Sequence, residues 1–204
     1  MNAVKFSALT AVFALLAGCD GPGNAGFGTQ RLIGPGATLA EAETAFTELE
    51  TRVLDVKLTE GNTQYTNLPT ETVGYRGIIS GGPGADGTGD FTHYADLSLS
   101  TDFNDVTGSV TNFTTDVVGF ENPTGTIDIT GTVSDGAPVA VINFSGSGAL
   151  IGTGVEADYT MSTTSGNFLG SDGSALEGSQ ESDFDWTFGR VGTDISDGDW
   201  YAER

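Results

Sequence analysis

From Asn62 onward the chain alternates apolar and polar residues with a period of two, interrupted by clusters of Gly, Asp, Asn and Pro. That period marks strands with one buried and one solvated face. Eight segments carry it: 71–80, 91–99, 107–114, 125–133, 139–147, 155–162, 165–169 and 181–189. Phe91, His93, Ala95, Leu97 and Leu99 share one face of the second segment. Ile127, Ile129 and Val133 share a face of the fourth, with Thr126, Asp128 and Thr130 opposite. Val155, Ala157, Tyr159 and Met161 alternate with Glu156, Asp158 and Thr160, and Phe184, Trp186 and Phe188 with Asp183, Asp185 and Thr187. The connections are short, so sequence neighbours should pair as antiparallel hairpins. The expected fold is mainly β, an eight-stranded antiparallel up-and-down barrel with its interior filled by side chains. A two-sheet sandwich is the alternative.

One stretch before the strands has a different rhythm. Ala42, Phe46, Leu49, Val53 and Val56 recur every three or four residues, which predicts a short amphipathic helix from Thr38 to about Lys57. Thr38 and Glu41 have the spacing of a capping box. Glu41, Glu43, Glu48, Glu50 and Asp55 occupy the other faces. The apolar stripe is expected to dock on the strands of the same chain.

The N-terminus reads as a targeting segment. Lys5 precedes an apolar run over residues 6–16, too short to cross a bilayer as a helix. The run ends in Leu16-Ala17-Gly18-Cys19, which resembles the lipobox of bacterial lipoprotein signals. The resemblance implies that Cys19 is lipidated on its thiol and becomes the mature N-terminus, with acyl chains anchoring at roughly 0.8 kcal/mol per buried methylene. The expected organisation is a signal peptide over 1–18, a flexible Gly/Pro tether over 19–36, the helix over 37–60, the barrel over 61–190 and a C-terminal tail over 191–204. The expected location is the cell envelope, on the outer rather than the inner membrane, facing the periplasm or the surface.

Charge narrows the partners. The 204 residues carry 28 acidic and 7 basic side chains, a formal net charge of −21. Nucleic acids and anionic lipid headgroups need Lys/Arg patches that this chain lacks. A single cysteine excludes a disulfide framework and a cysteine-based structural zinc site.

Catalytic chemistry is thinly represented. The one histidine, His93, falls on an inward apolar face, where a core histidine is the plain reading and a general base or haem ligand the sharper one. No G-x-S-x-G elbow surrounds a serine. The run Gly81-Gly82-Pro83-Gly84-Ala85-Asp86-Gly87 lacks the Lys-Ser/Thr of a phosphate loop and reads as a hairpin connection. Asp86, Asp90, Asp194, Asp197 and Asp199 lie in Asp-Gly stretches that could offer oxygens to calcium, but none matches a twelve-residue calcium loop. No catalytic residue, metal site or cofactor is expected.

Three stretches are similar to motifs of one barrel family. These are Leu68-Pro69-Thr70-Glu71-Thr72-Val73-Gly74-Tyr75-Arg76-Gly77, the run from Ala95 to Phe103 followed by Val106-Thr107-Gly108-Ser109-Val110, and Ser165-Gly166-Asn167-Phe168-Leu169-Gly170 with Ala175-Leu176-Glu177-Gly178. In order and spacing they resemble the transferrin-binding-protein-like barrels of bacterial lipoproteins. The resemblance covers roughly residues 65–190. It departs at Leu169-Gly170-Ser171, where the family has Tyr-Gly-Pro. It implies an eight-stranded barrel that binds and does not catalyse. The expected function is therefore a lipid-anchored, non-enzymatic binding protein that contacts a protein partner or small nutrient through loops 81–90, 119–123 and 170–178. The alternatives are a structural or adhesive envelope lipoprotein without a dedicated ligand, and an envelope-polymer-modifying enzyme.

Overall fold

The computed structural model describes residues 32–83 and 91–204. The segment expected to be a signal peptide, Cys19 and most of the expected tether lie outside the described residues. Eight strands follow one helix: β1 (Val73–Pro83), β2 (His93–Thr101), β3 (Asp105–Thr115), β4 (Ile127–Asp135), β5 (Ala140–Ile151), β6 (Glu156–Leu169), β7 (Ala175–Phe188) and β8 (Thr193–Glu203). Each pairs antiparallel with its sequence neighbours, and β8 pairs with β1 from Arg76↔Glu203 to Pro83↔Ser196. The result is a closed barrel in simple up-and-down order, not a sandwich. Closure leaves no strand edge among the eight.

Strand number agrees with expectation, but two assignments change. Segments 155–162 and 165–169 are one strand, β6; a register shift between Thr163 and Ser165 against β7 resets the alternation and mimics a turn in the sequence. The eighth strand lies instead in the stretch expected to be a tail, 191–204. β8 pairs with β7 from Ala175↔Glu203 to Asp185↔Thr193. It escapes an alternation search because its inward positions are Ser196, Gly198, Trp200 and Ala202, mostly small residues that carry little hydrophobic signal. Gly198 must be small, because a Cβ there would run into the Ser80 carbonyl and Gly81 backbone of β1. β7 also starts at Ala175, earlier than the expected 181, so the 170–178 loop shrinks to a turn over 170–174.

The inward faces make one continuous core. Trp200, Tyr75, Tyr159, Phe113, Phe168 and Phe184 are among its largest fully buried side chains. Aromatic rings meet edge to face inside it, Tyr159 with Phe184 at 4.7 Å and Phe91 with Phe184 at 4.8 Å between centroids. Phe188, expected on the same face as Phe184 and Trp186, is instead 60% exposed. Opposite it, β6 places Glu156 against Phe188 and Ala157 against Trp186, so Thr187 is an extra residue that ends the alternation.

Helix α1 (Leu39–Glu60) lies on the outer wall. Both halves of the Thr38/Glu41 capping box form, and Gly61 closes the C-terminus by donating to the Lys57 carbonyl. Ala42, Leu49 and Val53 are buried against Ile78, Tyr94, Leu169, Ala175 and Tyr201, with Phe46 and Val56 packed alongside. The expected docking in cis is thus observed. Arg52 pairs with Glu203 and Lys57 with Glu177 along the same contact. The end of the expected tether is also docked: Ile33 is buried, and its N–H donates to Asp96 Oδ1 at 2.8 Å. Ile33 joins the same apolar cluster as the helix, with Leu32 packed alongside. No helix among the described residues is long and apolar enough to cross a membrane.

Candidate functional site

Up-and-down order sorts the connections by end. Those after β1, β3, β5 and β7 fall at one end, here the upper; those after β2, β4 and β6 fall at the lower end with the C-terminus. Loops 81–90 and 119–123 therefore share the upper end, whereas the 170–178 stretch lies at the lower. Within the first, Gly81–Pro83 belong to β1, and residues 84–90 lie outside the described residues.

The lower end is built for closure. The Tyr75 hydroxyl donates to the Gly173 carbonyl at 2.6 Å. Burial holds the Tyr75 phenol well above its ordinary pKa, so it acts there as a neutral donor. Phe168 packs between Tyr75 and Phe103, with centroids at 6.1 and 5.7 Å. Leu68 and Tyr65, from the segment linking α1 to β1, pack against this core. The Thr63 N–H donates to the Phe168 carbonyl and the Tyr65 N–H to the Pro138 carbonyl, both across the lower rim. Leu68, Tyr75, Phe103 and Phe168 all come from the motifs that carry the family resemblance. These motif residues therefore help to close the lower end of the barrel.

The middle of the barrel is apolar with a few polar groups locked in. His93 is fully buried among the rings of Phe91, Phe113, Tyr159 and Phe184. Neither imidazole nitrogen has a hydrogen-bond partner, and the Gln180 side-chain oxygen and the Trp200 indole N–H are likewise buried without one. Desolvation pushes the His93 pKa down to about 3, so the ring is neutral at physiological pH. The inward placement expected of His93 is observed; the space a haem would need beside it is taken by the four rings.

The aspartates do not behave as loop ligands. Asp194, Asp197 and Asp199 stand on β8, because that stretch is a strand and not a loop. Asp194 Oδ2 accepts from the Trp186 indole N–H at 2.7 Å, and Asp199 Oδ1 accepts from the Ser179 hydroxyl at 3.0 Å. Asp86 and Asp90 lie outside the described residues. Among the described residues no group of three or more His, Cys, Asp or Glu is placed to hold a metal ion.

The upper end is different in kind. Three connections abut there: a Cβ on Gly119 would lie 3.0 Å from the Thr153 carbonyl, and one on Gly189 would collide with the Gly154 carbonyl. Thr124 and Ile151 join by a two-way backbone bridge, with both hydrogen bonds at 2.8 Å. Phe120 is fully buried beneath, its ring 5.1 Å from that of Trp186. The Thr115 hydroxyl donates to the Phe120 carbonyl and also accepts from the Val117 N–H, which fixes the start of the β3–β4 connection. The Arg190 guanidinium sits 4.7 Å over the Trp186 ring and pairs with Asp194. On this braced frame Val118 and Val191 stand 87% and 94% exposed. Sequence reading found the 119–123 connection but missed the turn after β7, whose Phe188 looked like core.

Comparison of the chain with protein-family profiles, with curated proteins and with solved structures finds no match. What the coordinates define is a class: a closed eight-stranded up-and-down barrel with one external helix.

Proposed function

We propose that the chain is a lipid-anchored, non-enzymatic binding protein of the bacterial envelope that contacts its partner through the connections at the upper end. The carrying observation is the contrast between the two parts of the barrel. Its interior is packed with aromatic and aliphatic side chains, while rigidly braced loops at one end present apolar side chains to solvent. Recognition on such a scaffold belongs to the loops. The lipobox-like Leu16–Cys19 run supports the anchor, and the resemblance of the barrel motifs to transferrin-binding-protein-like barrels supports binding over catalysis.

Two experiments test this. Growth with an alkyne-bearing palmitate should label the full chain and not Cys19→Ser, which should leave the membrane fraction. Mild crosslinking in cells that naturally produce the protein should recover at least one partner in stoichiometric yield. That recovery should disappear when the exposed Val118, Phe188 and Val191 are replaced by Ser. Equal recovery from both chains, or self-association alone, would favour a structural role.

A further inference from the structure

Five large apolar side chains are strongly exposed among the described residues: Leu58, Val118, Ile151, Phe188 and Val191. All but Leu58 stand at the upper end, on or beside the three abutting connections. Exposed apolar residues scattered singly need no explanation, but a cluster on one rim does. The rim is not flat. Phe91, Asp116, Val117, Val118, Val155 and Arg190 line a shallow concavity of about 450 Å³, large enough to seat an aromatic or branched side chain of a partner.

The surrounding charge has one sign. Asp116, Glu121, Glu156 and Asp185 are exposed around the same end. Among the described residues the only cation there is Arg190, and its charge is already engaged by Asp194 and the Trp186 ring. Three other cations, Arg52, Lys57 and Arg204, pair with acids at the lower end or along the helix contact.

Charge selects among possible occupants. A second copy would bring an equally acidic rim against this one, in a chain of net charge −21. An anionic bilayer would be repelled for the same reason. A protein face with an apolar anchor inside a ring of lysines and arginines fits both features, because complementary potentials steer encounter and suppress wrong partners. We infer that the upper rim docks such a basic-rimmed apolar protein surface. This rests on the proposed binding role and adds the class of partner.

Photocrosslinking tests it in the full chain, within cells that naturally produce it. Benzoylphenylalanine is placed at Val118, at Val191, and for contrast at Leu58 and at Thr132 on the outer wall. Val118 and Val191 should each capture the same protein, through a segment rich in lysine and arginine. Raising salt from low to about 0.5 M in isolated envelopes should cut the yield roughly tenfold, since screening then reaches within a few ångströms. Phe188→Asp or Val191→Asp, both at exposed positions, should abolish capture at Val118 with the barrel's circular dichroism unchanged. Adducts to a second copy, to lipid, or to a protein through an acidic segment would overturn the inference. Capture at Leu58 or Thr132 but not at the rim would overturn the docking face and leave the binding role standing. No protein adduct at any of the four positions would end both.

Discussion

The imidazole of His93 occupies the space that a side chain at Gly81 would need. The two residues face each other across β1 and β2, and a Cβ on Gly81 would meet both the His93 ring and the Ser196 hydroxyl. Gly81→Ala is therefore expected to overpack the barrel and cost about 1–3 kcal/mol. His93→Ala should cost about 2–4 kcal/mol through the cavity it leaves. The double variant should lose less than the sum, because the new methyl then has room. Denaturant unfolding of the four chains measures the coupling, and strict additivity would contradict the packing described.

The same histidine gives the fold an acid-sensitive weakness. Its folded pKa of about 3 lies below the unfolded value of 6.5, so below pH 6.5 the unfolded chain takes up a proton that the folded chain refuses. Stability from this group is full above pH 6.5 and is lost as pH falls toward 3. Between pH 7 and pH 5 the loss is about 2 kcal/mol. His93→Leu should flatten that interval, where most carboxylates still contribute little. An unchanged pH profile would show that His93 is hydrated or paired in solution.

Leu49 ties the helix to the barrel wall and is fully buried. Leu49→Ala should cost about 2–5 kcal/mol of helix docking. Hydrogen exchange should then speed up over Leu39–Glu60 while the amides of β4 and β5 stay protected, since those strands do not carry the helix. Thr38→Ala, which removes the N-cap, should give the same signature at about 1 kcal/mol. Loss of protection throughout the barrel would mean that the helix is integral to the barrel's own stability.

Deleting residues 193–204 removes β8 and leaves β1 and β7 without partners. That chain should lose cooperative unfolding and aggregate through the two opened edges. A soluble, cooperatively folded product would contradict the register of β8. Trp200 goes with the deletion, so the point variant Trp200→Ala separates loss of one core side chain from loss of the strand.

Much of the fold was legible because burial on one face forces a period of two. Phe91 to Leu99 on β2 and Ile127 to Val133 on β4 show it directly. Legibility failed where the backbone departs from that period or the inward residues are small. The shift at Thr163–Ser165 split β6, and the Ser-Gly-Trp-Ala face of β8 looked like a tail. Its outward Asp197 and Asp199 completed the impression of an acidic loop. The candidate site was legible only in part, because which loops share an end depends on strand count and direction. Once β8 is a strand, the turn over Gly189–Gly192 becomes a neighbour of Val118, and 170–178 moves to the opposite end. The unpartnered nitrogens of His93 have no sequence signature, since a buried histidine and a catalytic one share the same alternating context.

The seam between β1 and β8 joins the first strand to the last one synthesised, and the helix that leans across it is made before either. All eight strands must therefore be made before the cylinder can shut. Until then seven strands present two raw borders to whatever is nearby. Defects in β8 should therefore surface as lost yield of the folded cylinder.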